Sequence, residues 1–186
     1  KAQSTGDGTQ LDTIATGSAH KLLRAFYDGC CAASLRTGWH ITGDAPPVDR
    51  HNQIADALAH DRLDQLFIDA VPHHPFYRAM RRSYAKETDS ARRATLAANM
   101  DRWRWMPRAL GDRYLLVNTA AYEAMLWENG KLTGRWKVVV GKTKSPTPVF
   151  SAQVTGVVLN PWWEIPPSIA AEGVAAMVRH NPVTSA

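Results

Sequence analysis

Apolar residues recur at two different intervals along this chain, and the interval changes at Pro107. Leu11, Ile14, Leu22, Leu23, Phe26 and Tyr27 fall mostly at helical spacing, which predicts one helix or two up to about Leu35, with Gly17-Ser18 as a break. Gly, Asp and Pro make 37–47 a loop. Val48-Asp49 then caps a helix through Ile54, Leu58 and His60, and another starts at Asp61 and carries Leu63, Leu66, Phe67 and Ile68. Pro72-His73-His74-Pro75 forces a turn, because each Pro lacks an N–H donor and pushes the preceding residue out of the helical region. Two more helices follow: one from Pro75 through Tyr77, Met80 and Tyr84, and one from Ser90 to Trp105 on Leu96, Met100 and Trp103.

Beyond Pro107 the apolar runs are short. Tyr114–Asn118 and Tyr122–Glu128 predict strands, Asn129-Gly130 a tight hairpin turn, Trp136–Val140 the returning strand and Val154–Leu159 a further one. Thr147-Pro148-Val149-Phe150 reads as a loop shaping the same end of the sheet. Ser168, with Glu172 in the first turn, caps a last helix through Ile169, Val174 and Val178. The expected class is α+β. A polar tail over 1–10 is disordered, an all-helical scaffold spans 11–106, and a mainly antiparallel sheet unit spans 107–186.

Composition narrows this only a little. A length of 186 residues suffices for one substantial core or two small units, and 45% apolar with 21% charged residues is ordinary for a globular chain. No apolar run approaches the ~18 residues that span a bilayer. The chain begins at Lys1 and carries no signal peptide, which leaves export permitted but not shown. Basic residues outnumber acidic ones 22 to 17, and the excess lies in the second half: residues 1–98 hold 12 bases and 11 acids, residues 99–186 hold 10 and 6. Lys131, Arg135, Lys137, Lys142 and Lys144 follow one another with no acid between them, which suits a carboxylate-rich partner or a solvated strand edge equally well.

The candidate chemistry is mostly negative. Cys30 and Cys31 are adjacent and form no disulfide framework; two small buried side chains in a helix is the expected state, and Asp28 close by argues against a reactive thiolate. His73-His74 has no acid or Cys at ligand spacing, so neither metal nor cofactor is expected. No glycine pattern of a phosphate cradle occurs. Arg102-Trp103-Arg104-Trp105 could stack bases, but alternate residues of a helix point to different sides. An indole anchoring the helical half on the sheet half, with Arg104 and Arg108 paired or snorkelling, is the preferred reading, and nucleic acid is not an expected partner. Asn160-Pro161-Trp162-Trp163 followed by Ile165-Pro166-Pro167 makes a rigid aromatic wall suited to a ligand groove. Whether Trp162 faces the groove and Trp163 the interior stays open.

Several motifs in fixed order carry a resemblance. Asn99-Met100-x-Arg102-x-Arg104-Trp105-x-Pro107, Tyr114-x-x-Val117-Asn118, Val140-Gly141-Lys142 with Thr147-Pro148-Val149-Phe150, and Asn160-Pro161-x-Trp163-x-x-Pro166-x-Ser168-Ile169 together resemble the large, periplasmic class of L,D-transpeptidases. The Gly38-Trp39 loop and His74-Pro75-x-Tyr77 are similar to the helical scaffold of that family. The resemblance implies a transferase that crosslinks peptidoglycan: a Cys thiolate, activated by His, attacks a diaminopimelate-containing stem, expels D-Ala and passes the acyl group to the amine of a second stem. It also implies periplasmic location, peptidoglycan stem peptides as partners, carbapenems as acylating inhibitors, and Asn160, Trp162, Trp163 and Pro166 as substrate-binding residues. The family's peptidoglycan-binding module is not visible, since Tyr84 to Ala98 bridges its place directly. The catalytic His and Ser-His-Gly-Cys segment do not occur before Ala186, so no catalytic residue is assigned, and an inactive fragment is expected, with an open sheet edge prone to homo-oligomer or partner-chain association. A non-catalytic peptidoglycan-binding or docking protein is the alternative.

Overall fold

The first helix, α1 (Thr5–Asp28), buries one face because Ala19, Leu23, Phe26 and Tyr27 recur every three or four residues. Leu23 is fully buried against Ile54 of α2 (Arg50–Ala59) and Ala70 of α3 (Leu63–Ala70), with Leu63, Leu66 and Phe67 around them. Burying such a leucine contributes about 2 kcal/mol. The rings of Phe26 and Phe67 meet edge to face at 6.2 Å. This structure is a computed structural model that describes residues 5–30, 33–41, 49–162, 164, 166, 167 and 170. It divides into two compact units, 1–151 and 152–186.

Two expectations for α1 need correction. Of the tail expected over 1–10, residues 5–10 belong to the helix, whose early turns are exposed at Leu11 and Ile14, and residues 1–4 lie outside the described residues. Nor does it break at Gly17-Ser18, where the Ser18 hydroxyl donates back to the Ile14 carbonyl within the continuous helix.

A hairpin of helices follows. His74 is the N-cap of α4 (Pro75–Lys86), its Nδ1 accepting the Phe76 N–H, while Pro75 sits where a missing N–H does no harm. Asp89 caps α5 (Ser90–Arg104) by accepting from the Arg92 N–H at 2.8 Å. Tyr77 and Met100 are the buried anchors of these two helices.

The chain then turns to strands, so the fold is α+β as the spacing predicts. β2 (Arg113–Asn118), β3 (Glu123–Glu128) and β4 (Lys131–Lys137) form an antiparallel sheet in sequence order. Asn129 (φ 49°) and Gly130 (φ 74°) both take left-handed backbone, so Glu128 pairs directly with Lys131. The returning strand therefore starts at Lys131 and not at Trp136: a two-residue turn leaves no slack between partners. The ladder shifts register between Leu126 and Trp127, where the partner residues step from Gly134 to Leu132. Met125 and Trp127 point to the buried face, while Leu115, Val117 and Trp136 are each more than half exposed.

Two short segments read as loops pair with each other. β1 (Trp39–His40), inside the 37–47 loop, lies parallel to β5 (Val149–Phe150), whose predicted role was a loop. In the second unit, Val154–Leu159 forms no strand; Val157 and Leu159 are over 80% exposed, and no ladder partner for the run exists among the described residues. An apolar run becomes a strand only by pairing. Ala170 donates to the Pro166 carbonyl in one helical turn, while Ser168, Ile169 and the predicted helix through Val178 lie outside the described residues.

Candidate functional site

The Asn99–Pro107 segment is where the first unit is joined. Asp101, 2% exposed, accepts from the Cys30 N–H at 2.8 Å and from the Cys30 thiol at 3.2 Å, and the Arg104 guanidinium lies 3.5 Å away. Arg104 also lies over the Phe26 ring and donates to the Tyr77 hydroxyl. Arg108 donates to the Phe26 and Tyr27 carbonyls and Arg36 to the Asp28 carbonyl, so cations occupy the negative end of α1. Trp105 meets Trp39 of β1 edge to face at 5.3 Å. Arg104 and Arg108 are thus both paired, Arg104 with Asp101 of its own helix and Arg108 with the carbonyls that end α1.

The other side of the same segment builds an aromatic cluster. Trp103 stacks on His74 at 4.3 Å, and His74 meets Trp127 at 4.7 Å, while Tyr114 and Trp127 lie parallel across β2 and β3. Trp103 therefore ties the helical half to the sheet through His74, the anchoring role expected of one of the two indoles. Beside the cluster is a cleft of about 200 Å³ between the Pro72–Pro75 turn, the Pro107–Gly111 connection and the hairpin.

Burial pulls the His74 imidazole from its ordinary 6.5 down to about 4. The folded ring stays neutral at a pH where an unfolded one would take a proton. Its contribution is whole above pH 6.5 and is lost as pH falls from 6.5 through about 4. For a half-buried ring we discount this to about 1–2 kcal/mol. The thermal midpoint is expected to drop between pH 7 and about pH 4.5 more steeply than in His74→Asn, which can keep the cap but does not titrate. Parallel curves for the two proteins would refute this assignment.

The four residues expected to bind substrate lie in the second unit. Trp162 is 97% exposed, Asn160 is exposed with left-handed backbone at φ 49°, and Pro166 is exposed. Trp163 lies outside the described residues. The residues at the joints of the first unit were not legible as such. Asp101 stands at an unassigned position of the Asn99–Pro107 motif, and a lone acid just before the Arg102-Trp103-Arg104-Trp105 run was the only signal. His74 was legible as a turn residue but not as a stacking partner.

Cys30 departs from expectation as well. It is exposed and free, just past α1, because Gly29 (φ 79°) ends the helix in left-handed backbone. Desolvation and the hydrogen bond to Asp101 push its thiol above the ordinary value, the opposite of what a nucleophilic thiolate needs. Cys31 lies outside the described residues. Among the described residues no group of three His, Cys, Asp or Glu gathers that could hold a metal. The basic run of β4 is partly neutralised from the next strand, since Glu123 pairs with both Arg135 and Lys137.

Residues 112–184 match the model of YkuD, the L,D-transpeptidase catalytic domain. No curated protein and no solved structure matches the chain. The match starts one residue before β2 and includes the Asn160–Ser168 motif, so this part of the chain, which follows a helical region, is similar to an L,D-transpeptidase catalytic domain. Members of that family are transferases of peptidoglycan biosynthesis and act on the cell wall, outside the cytoplasm. Among the described residues no helix is long and apolar enough to cross a membrane.

Proposed function

We propose that the chain is part of a periplasmic L,D-transpeptidase that joins two diaminopimelate-containing stems of peptidoglycan. The family match over 112–184, beginning where the helices give way to strands, carries this reading. Residues 11–106 are then a helical scaffold and 107–186 the first part of the catalytic domain. In the proposed reaction a Cys thiolate attacks the carbonyl that links the stem to its terminal D-Ala, and the amine of D-Ala leaves with a proton from His. The thioester is then attacked by the side-chain amine of a second stem, which restores the thiol. These 186 residues contain no Ser-His-Gly-Cys, so none of them is assigned as the nucleophile. Asn160, Trp162, Trp163 and Pro166 bind the stem; an indole as exposed as that of Trp162 supports a contact with ligand.

Incubation with a carbapenem followed by intact-mass measurement tests this. Residues 1–186 alone are expected to stay unmodified, and an extended form that carries a Ser-His-Gly-Cys segment to gain one adduct, with Trp162→Ala weakening stem-peptide binding about tenfold. An extended protein that takes no adduct but still binds peptidoglycan would instead be a docking protein.

A further inference from the structure

The cleft beside His74 has an unusual lining. It contains Arg108 and two histidines and no acid, and its walls are the rings of Trp103, Tyr114, Trp127 and His74. Three N–H donors on its lining residues are buried and have no acceptor among the described residues: Nε1 of Trp127, Nε2 of His74 and Nε of Arg108. Trp127 is only 5% exposed. Because Nδ1 of His74 accepts from the Phe76 N–H, the proton of the neutral ring sits on Nε2, which makes that atom a donor. The remaining bonds of Arg108 go to uncharged carbonyls, those of Phe26, Tyr27 and Arg104. No carboxylate among the described residues is within ion-pair distance of it, although the Asp28 carboxylate favours its charge from farther away. Buried donors ordinarily find partners, and here the residues that carry three unmet ones, one of them cationic, line a single cleft.

We propose that this cleft binds a carboxylate, the charged end of a small peptide or amino-acid derivative. A carboxylate offers acceptor oxygens to the two neutral donors, and its single negative charge balances the single guanidinium. A phosphate dianion would be left under-compensated between aromatic and proline walls. At ~30 Å³ for each water-sized group, the cleft takes roughly six or seven non-hydrogen atoms, an alanine unit with its carboxylate, and leaves an N-acyl group outside. Tyr114 and Trp127, parallel to within 4°, give the organic part a flat apolar surface. All three donors have under 1 Å² of accessible surface, so the carboxylate seats by a small shift of the His74 ring or of the turn that carries it. This site lies at the joint of helices and sheet and stands or falls independently of the transpeptidase reading.

The test uses the whole chain, labelled with nitrogen-15, and follows the Trp127 indole and His74 imidazole N–H signals during titration with N-acetylalanine. Trp127→Phe assigns the indole signal. A saturable downfield shift is expected, with a dissociation constant on the order of 1–10 mM and at least about tenfold weaker binding of the uncharged N-acetylalaninamide. Bound ligand also raises the midpoint of the His74 titration, since a nearby anion favours the protonated ring. Arg108→Gln should remove the preference for acid over amide; because Arg108 also caps α1, the unaltered chain alone decides if that variant fails to fold. No saturable shift, or equal shifts from acid and amide, would mean that the donors are met by ordered water and would overturn the proposal.

Discussion

Asp101→Ala is expected to destabilise the protein by about 3–5 kcal/mol, the loss found when one partner of a buried ion pair is removed. The side chain of Arg104 is only 16% exposed, and its charge would lose the one carboxylate that lies within ion-pair distance among the described residues. The Cys30 N–H, which follows the left-handed end of α1, would lose its acceptor in the same step. Urea unfolding measures the loss directly, as a shift of midpoint with little change in slope. Asp101→Asn keeps an acceptor oxygen and is expected to cost about half as much. A loss below about 0.5 kcal/mol for the alanine variant would show that packing alone fixes α1 on α5.

Gly29→Ala is the second large effect, about 2–4 kcal/mol. Backbone at φ 79° disfavours any β-carbon, and one added here would lie 2.4 Å from Nε1 of Trp105 and 2.8 Å from Oδ1 of Asp101. Neither neighbour can retreat easily: Trp105 is held against Trp39, and Asp101 is buried in its hydrogen bonds. Gly38 separates the two causes. Its φ is 76° with nothing within 4 Å of an added β-carbon, so Gly38→Ala bears only the backbone cost, about 1 kcal/mol. Equal losses for the two alanines would mean that the close approach at Gly29 relaxes freely.

The helical half was largely legible because its information is local. Asp49, Asp89 and the Pro72–Pro75 turn fix where α2, α5 and α4 begin, and a cap needs only its next three residues. Asn129-Gly130 fixed the hairpin for the same reason. What failed depends on distant partners. Trp39–His40 and Val149–Phe150 carry no strand pattern of their own and become strands only by meeting, while Val154–Leu159 has the pattern and meets nothing among the described residues. The site divides in the same way. The proposed Asn160–Pro166 wall rests on composition alone, whereas the pairing of Asp101 with Cys30 spans 71 positions, and no spacing rule reaches that far.

The last turn of α5 looks two ways. Trp103 reaches His74 and through it the hairpin, while Arg104 and Trp105 reach α1 and β1. A stretch of three residues thus serves as a shared rivet, and fraying it would loosen the end of the first helix and the base of the sheet together. These parts accordingly open as one cooperative unit, and a substitution meant to tune one of them will be felt in the other.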